Sequence, residues 1–135
     1  MMNARYDVAV VGAGIVGLAH AWMASRRGLR VALFERSDLA QGASVRNFGM
    51  IWPIGQPSGS HHEIAMRSRE FWLELGSLGV LPVDRCGSIH LAHRDDELAV
   101  LEEFCDRQTH GARMLTPDEV TAASVLANPE GLKGG

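Results

Sequence analysis

The apolar positions near the start of the chain change period twice. Val8-Ala9-Val10-Val11 is an unbroken, largely β-branched run, the pattern of a short strand buried on both faces in a parallel sheet. From Ile15 onward the spacing becomes helical, with Ile15, Leu18, Ala19, Trp22 and Met23 as the apolar positions. Arg26 and Arg27 close that segment, and Gly28 follows as a C-terminal cap. Val31-Ala32-Leu33-Phe34 is a second apolar run and ends at Glu35. Strand, helix and strand in so short a length predict a βαβ unit with two parallel strands.

Further along, Ser60 and Glu63 predict a helix start with serine as N-cap and a capping box. Ile64, Phe71, Leu75 and Leu78 form its apolar stripe, with Arg67, Glu70 and Glu74 to the side. Cys86 to His93 has strand character. Arg94-Asp95-Asp96-Glu97 opens another helix, expected to end near Gly111, with Leu98, Leu101, Phe104 and Cys105 on the buried side. Met114-Leu115 reads as extended. Thr116-Pro117-Asp118-Glu119 is a strong helix start: threonine as N-cap, proline at the first helical position, glutamate at the third. Asn128 to Gly135 is turn material with nothing after it to complete an element, so the chain is expected to be the N-terminal part of a longer protein.

The junction of the first strand and helix carries the first chemistry. Gly12-Ala13-Gly14-Ile15-Val16-Gly17 has the G-x-G-x-x-G spacing. In that pattern Gly12 makes the tight turn, Gly14 lets backbone N–H groups approach a pyrophosphate, and Gly17 lets the helix pack closely on the sheet. The helix N-terminus adds unpaired donors and the positive end of its dipole. Glu35, roughly 20 residues on, stands where an acid accepts hydrogen bonds from adenosine ribose hydroxyls and disfavours a 2′-phosphate. A glycine turn that serves packing alone would leave Glu35 unexplained.

Composition narrows the classes. The 135 residues fit one modest domain, and 46% hydrophobic with 21% charged residues is ordinary for a folded chain. A net charge of -3, from 13 basic and 16 acidic residues, gives no electrostatic case for nucleic acid or an anionic membrane. No apolar run approaches the roughly 20 residues that span a bilayer. Cys86 and Cys105 make no CxxC pair, and neither a disulfide framework nor a zinc site is suggested, which fits a reducing cytoplasm.

The long connection after Glu35, rich in glycine, serine and proline, is of the kind that carries function. With the glycine turn and Glu35-Arg36 before it, the string Gly42-Ala43-Ser44-Val45-Arg46-Asn47-Phe48-Gly49-Met50 resembles the N-terminal third of the FAD-dependent D-amino-acid oxidase and glycine oxidase superfamily. The resemblance implies an α/β fold: a Rossmann-like FAD-binding βαβ segment over 1–60, a connecting helix over 61–80, and over 81–135 the start of an α+β substrate domain. It implies FAD as cofactor, with Gly12, Gly14, Ile15 and Val16 at the pyrophosphate, Gly17 in the same cofactor-binding turn, and Glu35 and Arg36 at the adenosine part. Ala43 and Ser44 would contact phosphate or ribitol, Asn47 would join the cofactor-binding loop, and Gly49, Met50 and Ile51 would border the isoalloxazine. Family members oxidise C–N bonds of amines or amino acids, with hydride passing to flavin N5. A small-molecule amine is therefore the implied substrate, and a missing C-terminal part or a partner chain would complete the enzyme.

Arg46 stands where the dimethylglycine and sarcosine dehydrogenase branch has the histidine that attaches its flavin, so covalent attachment through this loop is not expected. The longer string through Trp52-Pro53-Ile54-Gly55-Gln56-Pro57 also looks like a branch of these oxidases associated with aminophosphonate breakdown. Plainer readings stand beside these. Ser44 and Asn47 are common turn caps, and Arg46 suits a solvated surface. His61 and His62 are adjacent and cannot share a helical face; one is a candidate active-site group, and a solvated first turn is the alternative. His90 and His93 would point to opposite faces of a strand, which disfavours a metal pair. Cys105 reads as core and not as a nucleophile. No residue is assigned as catalytic, because a flavin carries the chemistry itself. Two other classes share the first 35 residues or the whole pattern: an NAD-dependent dehydrogenase, which would continue in regular βα repeats, and a non-catalytic nucleotide-binding fragment or subunit.

Overall fold

In a computed structural model, residues 5–107 and 110–135 are described, and they fall into two compact units, Met1–Met50 and Ile51–Gly135. The first is the βαβ unit. Strand β1 (Val8–Val11), helix α1 (Ile15–Arg26) and strand β2 (Val31–Phe34) follow the predicted order, and β1 pairs with β2 in parallel, Val8 opposite Val31 and Val11 opposite Phe34. Asp7 locks the start of this register. Its carboxylate accepts from the Arg30 backbone N–H at 2.8 Å and from the guanidinium at 3.1 and 3.2 Å. That bond to the guanidinium, and then the one from the Arg30 backbone, hold the Asp7 carboxyl below its usual range. Helix α1 stops where the arginine pair meets Gly28, whose φ of 79° is the left-handed cap that glycine alone adopts without penalty.

The strands are not buried on both faces. In β1, Val8 and Val10 are half-buried and Ala9 and Val11 are exposed; in β2, Leu33 and Phe34 are exposed. On α1, Ile15, Leu18 and Ala19 are likewise exposed, with only Trp22 and Met23 of the expected face half-buried. A two-stranded sheet offers one helix one face to cover, so the other apolar face and the outer edge of β1 stay bare.

The second unit holds helices α2 (Ser60–Ser77), α3 (Asp95–Asp106) and α4 (Pro117–Ala123). Helix α2 begins one residue earlier than expected. Gly59, at φ 88°, is its N-cap, Ser60 is already helical, and the first turn is satisfied by the Pro57 and Gly59 carbonyls accepting from His62 and Glu63. The Ser60–Glu63 capping box does not form. On its apolar stripe Phe71 and Leu75 are half-buried, but Ile64 and Leu78, near the two ends, are each 65% exposed. On helix α3 the expected inward side, Leu98, Leu101, Phe104 and Cys105, is half-buried, and the helix ends at Asp106, short of Gly111. Glu97 secures its start, accepting from the backbone of His93 at 2.9 Å and of Arg94 at 3.1 Å.

Cys86 to His93 forms no strand. Among the described residues only Ala92 of this segment pairs, with Gly134; Gly135 approaches His90, where a Cβ on it would lie 2.8 Å from the His90 carbonyl oxygen, but no hydrogen bond extends the pairing there. The chain end is not merely a turn either. Lys133 to Gly135 lies between two neighbours: Lys133 and Gly134 exchange hydrogen bonds with Ala92, and Gly135 exchanges a pair with Leu115. Around this narrow pairing sits the core of the unit, Ala92, Val120 and Leu132. Helix α4 delivers Val120 to it from the predicted start, where the Thr116 hydroxyl accepts from the Glu119 N–H and the Glu119 carboxylate accepts from the Thr116 N–H at 2.8 Å. Thr116→Ala is expected to cost about 1 kcal/mol, seen as a lower urea midpoint at unchanged slope; an unchanged midpoint would show that the cap adds nothing to α4.

Candidate functional site

The glycine turn between β1 and α1 is held from three sides. Gly12, at φ 101°, donates its N–H to the Phe34 carbonyl at 2.7 Å, so the turn is tied to the end of β2. The Ala13 N–H donates to Glu35 Oε2 at 2.7 Å, and the other carboxylate oxygen accepts from the Ser37 N–H at 3.1 Å. These two backbone donors, Ala13 first, hold the Glu35 carboxyl below its usual range. The Ile15 N–H donates to Ser44 Oγ at 2.8 Å, across 29 residues. Ser44 comes from a 3-10 turn at Ala43–Val45.

Close packing explains two of the glycines. A Cβ on Gly17 would lie 1.9 Å from the Gly12 carbonyl oxygen, and one on Gly14 would lie 3.2 Å from Ser44 Oγ. The first leaves no room for a side chain; the second marks how tightly the 3-10 turn sits on the helix start. What remains open is a set of donors. Among the described residues the backbone N–H groups of Gly14, Val16 and Gly17 have no hydrogen-bond partner. The first turn of α1 carries no acidic residue that would compete for them. An open groove lined by Gly12, Gly14, Val16 and Gly17 continues along Val8 to Val11, with His20 and Met23 of α1 and Arg27 at its C-cap also lining it.

The arrangement fits an anion at the helix N-terminus and a polyol at Glu35. Three unspent N–H donors converge at the positive end of the helix dipole in a turn kept free of side chains. The Glu35 carboxylate, bound by backbone donors, keeps lone pairs for a further donor. Thus the structure brings together Gly12, Gly14, Ile15, Val16, Gly17, Glu35 and Ser44. Arg36 and Ala43 are their exposed sequence neighbours. Asn47, Gly49 and Met50 are exposed in the loop beyond, Gly49 at φ 72°, and Ile51 opens the second unit. Arg46, also exposed, ends the 3-10 turn. The two bonds that brace the turn, to Ala13 and to Ile15, have no sequence signature, because each joins a backbone N–H to a side chain more than 20 residues away.

The second unit gathers imidazoles that the sequence left apart. Trp52 stacks on His90 with ring centroids 6.0 Å apart, and His93 Nδ1 lies 3.2 Å from the Glu130 carbonyl. His62 meets His110 edge-on at 4.3 Å, Phe104 lies 5.0 Å from the same ring, and His110 Nε2 is 2.9 Å from the Gln56 carbonyl. His62 is therefore packed against another ring, whereas His61 remains exposed.

Comparison with known proteins gives this geometry its place. Residues 7–135 match the family described as FAD dependent oxidoreductase. The chain belongs to that family. Its members depend on FAD, and glycine oxidases are among them. Among curated proteins it is similar to the aerobic glycerol-3-phosphate dehydrogenase of Staphylococcus aureus, 28% identical with the whole chain covered and 26% of the relative's length. Among solved structures, glycine oxidase from Bacillus cereus aligns at a TM-score of 0.78 with 26% identity, over 96% of this chain and 37% of that one. Glycine oxidase from Geobacillus kaustophilus aligns at 0.66 with 25% identity, over 96% and 38%. L-proline dehydrogenase from P. horikoshii shares the fold at a TM-score of 0.79 and 20% identity, over 96% and 35%. The chain spans about a quarter of the length of the curated relatives it matches. No helix among the described residues is long and apolar enough to cross a membrane.

Proposed function

We propose that this chain supplies the FAD-binding part of an enzyme that oxidises the C–N bond of a small amine or amino acid. The observation that carries the cofactor assignment is the braced glycine turn with the free N–H groups of Gly14, Val16 and Gly17. The amine class rests on the likeness to two glycine oxidases and on the Gly-Ala-Ser-x-Arg-Asn-x-Gly-Met string. Gly12 and Gly17 shape the turn, and Gly14, Ile15 and Val16 meet the pyrophosphate. Glu35 and Arg36 hold the adenosine end, Ala43, Ser44 and Asn47 follow the phosphate and ribitol, and Gly49, Met50 and Ile51 border the ring system. When bound, FAD supplies the hydride acceptor; the chain's own residues bind and orient. The division at 60 and 80 into cofactor segment, connecting helix and substrate domain belongs to this reading. So do a cytoplasmic location, consistent with two free cysteines, and a further segment or partner chain covering the bare sheet face.

A second reading is oxidation of an alcohol carbon, favoured by the name of the curated relative, a glycerol-3-phosphate dehydrogenase. The two are separated by the visible spectrum. The purified chain is expected to retain FAD near one to one, and acid precipitation is expected to leave all of the flavin in the supernatant, since Arg46 offers no imidazole for attachment. With the segment or partner chain that completes the enzyme present, an amino acid or an aminophosphonate is expected to bleach the flavin under anaerobic conditions, and glycerol 3-phosphate is not. Bleaching by glycerol 3-phosphate alone would transfer the assignment to the second reading. A chain that retains no FAD would overturn its role as a flavin-binding unit.

A further inference from the structure

We propose that Trp52 and His90 form the subsite that holds the acid group, a carboxylate or a phosphonate, of the substrate amine. The inference rests on the reading given above, in which Gly49, Met50 and Ile51 border the flavin ring system. Trp52 is the next residue, and consecutive Cα atoms lie about 3.8 Å apart, so chain continuity alone keeps its side chain within reach of a substrate lying on that ring. Both members of the pair belong to the second unit, and their geometry is internal to it.

The indole is positioned by its own turn. Trp52 precedes the 3-10 turn Pro53–Gly55, and its carbonyl accepts from the Gly55 N–H at 3.4 Å. The ring folds back onto Gly55, where a Cβ would lie 2.5 and 2.6 Å from two of the indole carbons. A residue with a side chain leaves the indole no room there. The His90 ring lies 19° from parallel to it, with centroids 6.0 Å apart. The His90 backbone is itself set against the chain end, where a Cβ on Gly135 would lie 2.8 Å from the His90 carbonyl oxygen.

This arrangement leaves polar ring atoms unspent. Among the described residues neither the Trp52 indole N–H nor either ring nitrogen of His90 has a hydrogen-bond partner, and both residues are exposed. An indole gives one donor and no acceptor; a neutral imidazole gives one donor and one acceptor, and an imidazolium two donors. Two or three donors on neighbouring rings suit the oxygens of a carboxylate or a phosphonate, and a bond to an ionised oxygen is the stronger kind. An ammonium group needs acceptors, and the pair has at most one. A pair that served packing alone would be covered, not exposed.

The test uses the 135-residue chain loaded with FAD, with acetate and methylphosphonate as acid probes and methylamine as control. NMR reads the Trp52 indole N–H and the His90 ring protons, and the visible spectrum reads the flavin. The acids are expected to shift both ring signals saturably and to displace the flavin bands with the same midpoint, whereas methylamine does neither; the tighter acid identifies carboxylate or phosphonate as the group held. Trp52→Phe keeps an aromatic ring without the N–H, and His90→Phe keeps a ring without nitrogens. Each is expected to weaken the acids about tenfold with FAD affinity unchanged. Gly55→Ala, which removes no donor but displaces the indole, should weaken them as well. Acid binding that survives both phenylalanine variants would overturn the subsite, as would an equal response to methylamine or ring shifts with no change in the flavin bands. A loaded chain that responds to neither acid would overturn the subsite and leave the FAD assignment standing. A chain that takes up no FAD would overturn that assignment, and the substrate role of the pair with it.

Discussion

Gly17→Ala is expected to destroy the cofactor turn. The added Cβ would sit 1.9 Å from the Gly12 carbonyl oxygen, 3.0 Å from the Gly12 carbonyl carbon and 3.4 Å from a methyl of Val10. Backbone and not a flexible side chain stands in the way, so either α1 lifts from β1 or the turn opens. Overpacking of that severity costs about 3 kcal/mol, a large fraction of what a small domain has to lose. Urea denaturation should show the loss, and FAD affinity should fall more than a hundredfold. Gly42→Ala is the control: a Cβ there meets nothing within 4 Å, and its effect should stay within about 0.5 kcal/mol. Equal midpoints for the two variants would show that α1 does not need its close approach to the turn.

Glu35→Gln should weaken FAD and ADP by about tenfold and change how the chain responds to acid. The carboxylate accepts from Ala13 and Ser37 with one oxygen each, whereas an amide has one oxygen and an NH2 group that meets an N–H head-on. The sign of the pH effect follows from the lowered folded pKa. A group depressed on folding contributes stability that is fully present above its unfolded value, near 4.3 for glutamate, and is lost as pH falls through the folded value. The stability gap between parent and Glu35→Gln should therefore be full at pH 7 and narrow as the pH falls below the unfolded value and through the lowered folded one. Asp7, Glu97 and Glu119 are depressed too, by bonds from Arg30, His93 and Thr116 respectively, so the parent should be acid-sensitive even where Glu35 is absent. A gap that stays constant from pH 7 to 3 would show that the carboxylate's charge does not brace the turn.

Some elements were legible residue by residue. The βαβ order, the cap at Gly28 and the start of α4 at Thr116 agree with their local patterns, because each depends on spacing within one or two turns of chain. The Gly17 assignment belongs with them: G-x-G-x-x-G states which residue approaches which, and the distance to Gly12 agrees. The failures share a cause. Ser60 looked like a cap because serine precedes an amphipathic run, but Gly59 could adopt φ 88° and took the position one residue earlier. Cys86 to His93 has the composition of a strand, yet a strand needs a ladder of backbone hydrogen bonds, and among the described residues only Ala92 makes them.

The candidate site divides in the same way. Its glycines and its acid could be named from the sequence because their identity is the signal. Its bracing could not. Glu35 was expected to face a ribose, and in the folded chain its carboxylate also ties Ala13 to Ser37; Ser44 was open between turn cap and ligand contact, and it caps a helix that begins 29 residues before it.

By itself, the sequence determined the order of strand, glycine turn and helix and, through the resemblance it carries, the family's cofactor. Those rest on local backbone conformation and on residue types that few other arrangements need. Tertiary structure alone decided which side chains complete the turn, why Lys133 to Gly135 pairs on two sides, and which apolar residues of β1, β2 and α1 stay exposed. Each depends on where the chain returns after a long excursion, and the closure entropy of such a loop changes only slowly with its length, so spacing alone cannot single out the partner that the fold brings near.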